Sequence, residues 1–525
     1  MFKNHPKGLL AAALANMGER FGFYTMMAIL VLFLQAKFGL DGTNAGIIYS
    51  VFYFSIYILA FVGGLIADKT RNYKGTIMIG LILMSIGYLL IAIPTPTPVP
   101  NLFLYLTGTC FGLFVIAFGN GLFKGNLQAL VGQMYDNPEY SKMRDSGFSL
   151  FYMFINVGAI FAPFTAVGVR NWWLGTKGFL YNADLPAQCH AYLAGTMNAE
   201  NTESFSKLAT EVSGQNVTDL QVFAQTYLNS FTEGFHYAFA VAIFAMAISL
   251  TIYLINKRNF PNPKDKSAKA QGIQDNEMDA KEIKQRLWAL FAVFGIVIFF
   301  WFSFHQNGLT LTYFAKEFTD LSIMKVNIGS LEIKGAELFQ SINPLFVVLL
   351  TPIIMGLFGW LRARNLEPST PKKIAIGMGI AALGFVVMAF GSYVSDLPLW
   401  SSLFEKVKDP ESGKTIVNVI QVFPLEERVT PFLLIGTYFI LTVAELFISP
   451  LGISFVSKVA PPKYQGIMQG GWLGATALGN QLLFIGAIFY QSIPIWMTWS
   501  IFVVACVISM FTMIFMLKWL ERVAK

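Results

Sequence analysis

The sequence predicts an all-α integral membrane protein: twelve transmembrane helices in two six-helix bundles. Three observations predict it. The chain of 525 residues is 55% hydrophobic and only 13% charged, where an ordinary soluble domain is roughly 25% charged. Its apolar residues recur in blocks of about 20, the length that crosses a bilayer as a helix. The strand-period alternation that marks a membrane β-barrel is absent.

The elements follow in order. Span one, 8–36, is too long and too polar at its centre for a cleaved signal peptide. Spans two and three, 44–67 and 75–94, are joined by "GGLIADKTRNYKG" (63–75). This loop resembles the signature of the major facilitator superfamily, with Gly64, Asp68-Lys69, basic residues and Gly75. Gly lets helices approach closely, and Asp68 can meet a helix N-terminus. Spans four and five, 101–123 and 146–170, precede a long polar loop, 171–233, that carries an Asn216-Val-Thr sequon. The loop reads as a poorly constrained cap and not as a catalytic domain. Span six, 234–256, ends the first half. The stretch 257–286 mixes both charge signs with two prolines and reads as a linker ending in an amphipathic helix. It has no room for an extra helix pair between the halves. Spans seven to twelve follow at 287–306, 341–361, 372–393, 431–456, 465–489 and 494–517. The domains are therefore 1–256, 257–286 and 287–525.

Charge sets the orientation. With both termini inside, 24 Lys/Arg fall on the cytoplasmic side and 11 outside, Arg20 and Lys124 lying within spans. Without the eight in the linker, the bias is still 16 to 11. The basic short loops (Lys69, Arg71, Lys74; Arg362, Arg364, Lys372, Lys373) agree, so both termini are expected in the cytoplasm. The lack of a transit signal leans toward a bacterial inner membrane. Cys110, Cys189 and Cys506 are scattered, Cys189 in the polar loop, which argues against a disulfide framework and a Zn site. There is no HExxH, no GxSxG and no Cys/His cluster, so an enzyme is not expected.

Function is read from charges that do not belong in hydrocarbon. "ANMGERFGFYTMMAIL" (15–30) places Glu19 and Arg20 inside span one, at a cost of a few kcal/mol per group on insertion scales. Helical spacing puts Asn16, Glu19, Arg20, Phe23 and Tyr24 on one stripe. A neutral pair locking two helices is the simplest alternative, but the pair has company. Asn120, Lys124 and Gln128 share a face of span four, although Lys124 could also snorkel to the interface. Span five adds Asn156 and a helix-bending Pro163. Span seven adds Trp301 and His305 one turn apart. Asn343-Pro344 is expected to loosen span eight, and Glu445 and Ser449 share a face of span ten. The signs are partitioned: Arg20 and Lys124 in the first half suit a carboxylate, and Glu445 in the second suits an ammonium. A zwitterion such as a small peptide could bridge the halves, and proton exchange at Glu19 would free or re-pair Arg20.

At "GERFGFY" (18–24), "FKGN" (123–126), "FYMFINVG" (151–158), "INPL" (342–345) and "AELFISPLG" (444–452) the chain resembles the proton-dependent oligopeptide transporters over nearly all twelve spans. The resemblance implies proton-driven uptake of di- and tripeptides, and of peptide-like drugs, with the proton as coupling ion and no other cofactor. It implies that Arg20 and Lys124 hold the peptide carboxylate and that Glu445 receives the ammonium, helped by Asn156 and Asn343. Tyr24 and Tyr57 resemble pocket tyrosines, and Trp301 and Trp472 resemble tryptophans that shape side-chain pockets. Two positions depart from the family: Asn16 and His305 stand where it usually has acids, so proton route and stoichiometry are open. Membrane lipid is the expected surrounding, no nucleic acid is expected as partner, and a monomer is expected to function. The rival readings are a carrier of another amphoteric or anionic solute with altered proton coupling, and a non-transporting sensor on the same scaffold.

Overall fold

The computed structural model describes residues 5–135, 139–140, 144–261, 279–329, 331–408, 415–461 and 465–523. Among the described residues, twelve helical segments are long and apolar enough to cross a bilayer. The first half has α1 (Gly8–Phe38), α2 (Gly42–Thr70), α3 (Tyr73–Ala92), α4 (Leu102–Met134) and α5 (Arg144–Thr176). Two short helices, α6 (Leu185–Leu193) and α7 (Ala199–Ser213), lead to α8 (Leu220–Asn256), the sixth span. In the second half α9 (Ala280–Phe304) and α10 (Thr310–Phe318) together make span seven. Span eight is α11 (Ile342–Ala363), and span nine is α12 (Thr370–Val394). The one-turn α13 (Trp400–Leu403) precedes α14 (Pro431–Val459), span ten. Span eleven is α15 (Gln465–Gln481) with α16 (Leu483–Ser492), and span twelve is α17 (Ile495–Val523). Each predicted span has its helix. An even number of crossings returns the chain to the face it started from, here the terminal face. The opposite face carries the longer connections and is the loop-rich face.

Within the first half α1 packs between α5 and α8, and α4 between α2 and α3. Within the second, α12 packs between α14 and α17, and α9 against α15 and α17. Glycine permits the closest approach: a Cβ on Gly63 of α2 would sit 2.2 Å from the carbonyl oxygen of Gly121 of α4. The loop between α2 and α3 has a local explanation. Arg71 closes α2 in the left-handed region (φ 51°), and the Asn72 side chain then accepts the Gly75 N–H at 3.0 Å to cap α3. A side chain on Gly75 would collide with that cap, at 2.3 Å from the Asn72 amide. The Asp68 side chain lies outside the described residues.

Two expectations need correction. The loop 171–233 is not a loosely held cap. The chain continues α5 to Thr176 and starts α8 at Leu220, and α6 and α7 between them bury Leu185, Cys189, Phe205, Ala209 and Val212. Cys189 is thus a core residue whose thiol is pushed up by burial. The protein also has two hairpins at the loop-rich face: β1 (Lys325–Ile328) with β2 (Leu331–Lys334), and β3 (Phe404–Lys408) with β4 (Thr415–Val419), each antiparallel. Asn343-Pro344 does not loosen a helix interior. A 3-10 turn, Ala336–Ser341, runs directly into α11, whose first turn holds both residues. Proline is tolerated there because its missing N–H would have no helical acceptor.

Spans seven and eleven are interrupted at the same level. A 3-10 turn, His305–Gly308, separates α9 from α10, and the break in span eleven follows Gln481. Backbone freed inside a membrane needs partners from neighbouring helices. Gln306 supplies them: its Nε2 donates to Phe302 O and Leu483 O, each at 3.2 Å.

Candidate functional site

Between the halves lies a cavity of about 1140 Å³, part of it open to solvent. α1 contributes Arg20 and Tyr24, α2 Tyr57, α4 Lys124 and Gln128, and α5 Asn156. From the second half come Trp301 and His305 of span seven, Asn343 of α11, and Glu445 and Ser449 of α14. Ten of the twelve expected site residues therefore meet on one space, with the cations on one wall and the carboxylate on the other. Lys124 does not snorkel to an interface. Its ammonium stands 4.5 Å from the centre of the Tyr57 ring, and no carboxylate among the described residues lies in ion-pair range.

Glu19 stands behind this wall, fully buried. It accepts Arg20 Nε at 2.6 Å and Nη2 at 2.7 Å, and Asn120 Nδ2 at 2.6 Å. The stripe read from the sequence thus splits: Glu19 turns to Asn120, while Arg20 reaches the cavity with Phe23 under its guanidinium at 4.6 Å. Arg20 has five N–H donors, and Glu19 engages two of them. On the opposite wall Asn343 Nδ2 donates to Glu445 Oε2 at 2.9 Å and to Thr442 Oγ1 at 3.0 Å. The Asn343 amide holds Glu445 in place. Asn156 Nδ2 is turned to its own helix, at 3.2 Å from Tyr152 O. Among the described residues the buried Ser449 Oγ and Trp301 Nε1 have no partner.

Two residues sit differently from expectation. Trp472 does not line the cavity; its ring lies against Gly452 of α14, so close that a Cβ there would come within 1.9 Å of it. His305 lines the cavity but does not bond Lys124. Its Nδ1 lies 2.5 Å from Asn480 Oδ1, and its ring is held between Trp301 and Tyr53, each at a 4.8 Å centroid distance. Sequence reading missed Asn480, which no local pattern marks. It also missed Tyr49 and Tyr53, although their four-residue spacing with Tyr57 was visible. These three rings climb one face of α2, 5.8 Å from ring to ring.

The loop-rich face is held shut by polar contacts between the halves. Arg170 of α5 pairs with Glu337, both without solvent exposure, and Arg170 lies over the Tyr181 ring at 4.1 Å. Asn171 Nδ2 donates to Glu332 O and Lys334 O, each at 3.1 Å. Lys406 meets Asp41 at 2.5 Å, Thr43 donates to Gln491 Oε1 at 2.8 Å, and Tyr313 OH donates to Gly42 O at 2.9 Å. At the terminal face Phe61 of α2 meets Gly470 of α15, an apolar contact.

The chain is also similar to known proteins. A family model described as the POT family matches residues 74–273 and 264–496. A protein named peptide transporter YePEPT, from Yersinia enterocolitica subsp. palearctica, is 27% identical over 504 residues, covering 91% of this chain and 87% of the relative. The di-/tripeptide transporter of Lactococcus lactis subsp. lactis is 26% identical over 502 residues, covering 92% and 89%. Among solved structures, the peptide transporter POT in complex with sulfate superposes with a TM-score of 0.70 at 21% identity, over 100% of this chain and 96% of that one. A POT family transporter in complex with 5-aminolevulinic acid superposes with a TM-score of 0.68 at 21% identity, over 100% and 98%.

Proposed function

The chain belongs to the POT family, and from that premise we propose that it is a proton-coupled symporter importing di- and tripeptides by alternating access. Membership makes it a multi-pass transporter of the major facilitator fold and not an enzyme. Relatives named for peptides support the substrate class. The observation that carries it is the partition of charge across the cavity, Arg20 and Lys124 facing Glu445 and Ser449. A peptide with free ends satisfies both walls at once, whereas a simple anion leaves Glu445 buried without a counter-charge.

The roles follow from the contacts. Arg20 and Lys124 receive the carboxylate, Glu445 the ammonium, and Asn343 keeps Glu445 aimed. Tyr24, Tyr57, Asn156 and Trp301 shape the remaining wall. Glu19 is the proton carrier. While ionised it engages two Arg20 donors, and once protonated it frees them for the peptide. His305 is a second coupling residue, at a position where both helix interruptions meet. The loop-rich face is outside and both termini are cytoplasmic, in a bacterial inner membrane. The described state is closed to the outside, and its latch must part for loading. Each chain contains a whole cavity and acts as a monomer.

Uptake of a labelled dipeptide into proteoliposomes, with and without an inward proton gradient, tests the reading. Gradient-driven accumulation, competed by free but not by doubly blocked dipeptides, is expected. Accumulation that another amphoteric solute competes and dipeptides do not would assign the cavity to that solute instead.

A further inference from the structure

A second cavity, of about 680 Å³ including space open to solvent, lies nearer the loop-rich face. One helix lines both. α1 gives Tyr24 and Met27 to the inner cavity and Leu32, Gln35 and Ala36 to the outer one. Tyr24 and Gln35 are eleven residues apart, or about 16 Å along a helix axis. Between them Gln340 bridges the halves, its Nε2 3.3 Å from Ala28 O and from Thr312 Oγ1. Gln340 thus forms a plug between the two spaces.

The outer chamber is roofed from both halves. Pro186, Ala187 and His190 of α6 reach over it from one side, and Phe404 and Val417 of the second hairpin from the other. The two parts are clasped: Thr196 Oγ1 donates to Asn418 Oδ1 at 2.6 Å, and Asn418 Nδ2 to Thr196 O at 2.8 Å. The roof is therefore built by the segments that composition alone left as loops.

The lining has the chemistry of the inner site in another form. Lys316 supplies an ammonium with no ion-pair partner among the described residues. Glu317 supplies a carboxylate, 8% exposed, with Tyr490 OH donating to one oxygen at 2.9 Å. The Gln35 side-chain oxygen is buried without a hydrogen bond among the described residues. Trp400 and Phe404 stack at 5.0 Å and 25° as an aromatic wall. A base, an acid, an unsatisfied amide acceptor and stacked rings in one chamber fit a short zwitterionic peptide with an apolar side chain.

We propose that this chamber is an outer binding site, where a peptide with free termini is held before the latch opens to the inner cavity. This rests on the peptide reading above. In the chamber the carboxylate meets Lys316, the ammonium meets Glu317, and a peptide N–H fills the Gln35 acceptor.

The test uses the full chain in proteoliposomes and p-benzoylphenylalanyl-alanine as a photoreactive dipeptide. Illumination should give adducts in 400–417 as well as on inner-cavity helices, both suppressed by excess Ala-Ala. Lys316→Gln should lose the outer adducts, keep the inner ones, and raise the KM of uptake about threefold to tenfold with the KM of efflux unchanged. Trp400→Phe, which keeps a ring, should leave the outer adducts in place. Inner adducts and uptake without outer adducts overturn the outer site alone. Outer adducts that Ala-Ala does not suppress overturn it too. No uptake and no inner adducts in wild type overturn the peptide reading, and the outer site with it.

Discussion

Substituting Glu337 by Gln should open the loop-rich face. In the closed state Arg170 and Glu337 have no solvent exposure. Arg170 is also held by Asn171 Oδ1 at 3.1 Å and Lys334 O at 3.4 Å, with Tyr181, Phe231 and Phe235 around its guanidinium. These neighbours are neutral, so they cannot replace the lost carboxylate. Removing one partner of a buried pair costs about 3–5 kcal/mol, mostly because the other charge stays buried alone. Parting the halves lets Arg170 meet water, so the cost falls on the closed state. Even the lower figure, about 3 kcal/mol, moves the closed-to-open equilibrium on the order of 100-fold. Spin labels at the exposed positions Phe103 on α4 and Phe432 on α14 would read the separation of the loop-rich ends by double electron–electron resonance. Glu337→Gln should populate a longer distance. The double variant Arg170→Met, Glu337→Leu should return toward the wild-type distribution, since an apolar pair needs no desolvation. A distribution unchanged in Glu337→Gln would show that packing, not charge, keeps the face shut.

Four further outcomes are expected. Acetylating a dipeptide's amino end should weaken binding to wild type tenfold or more, on the order of the cost of a buried charge left unpaired, but should not weaken binding to Glu445→Gln; equal binding of free and doubly blocked peptides to wild type would refute zwitterion recognition. Glu19→Gln should abolish concentrative uptake and leave part of peptide-for-peptide exchange, measured as counterflow, whereas equal loss of both would make Glu19 a structural residue. His305→Gln should keep peptide binding and flatten the pH dependence of uptake; an unchanged profile would reduce His305 to a ring packed between Trp301 and Tyr53. Outside the spans, the hydrogen bonds from Arg362 and Lys373 hold the Glu367 carboxyl down at about 2. A depressed carboxyl stabilises the fold above its ordinary range and loses that effect as pH falls toward 2. Glu367→Gln should therefore melt slightly below wild type at pH 6, and the gap in melting temperature should narrow as the buffer falls below about pH 4.5 and close only near pH 2.

Legibility in the sequence followed the cost of misplacing a group. Glu19, Arg20, Lys124 and Glu445 stood out because charge inside an apolar run needs a reason, and all but Glu19 reach the cavity. Arg170 and Glu337 are as deeply buried, yet they fall at span ends, where charge is ordinary. Only folding joins residues 167 positions apart. The polar composition of 171–233 hid α7, although Phe205, Ala209 and Val212 keep a helical spacing and are all buried. Trp472 resembled a pocket residue, but its place is set by a missing side chain on another helix, Gly452. Asn480 was invisible for the same reason: its meaning comes from His305, across a break in each of two spans.

The two cross-half charge systems share one segment of chain. Glu337 of the latch sits in the 3-10 turn, Gln340 of the plug follows three residues later, and Asn343, which holds Glu445, follows three after that. On the proposed reading, an ammonium arriving at Glu445 meets the carboxylate that Asn343 already holds, and any movement of Asn343 would reach Gln340 and Glu337 within six residues of chain. No long-range pathway is needed to connect ligand and latch. The junction of the 3-10 turn with α11, at Ser341 and Ile342, is the natural place for that motion, because the hydrogen-bond pattern already changes there.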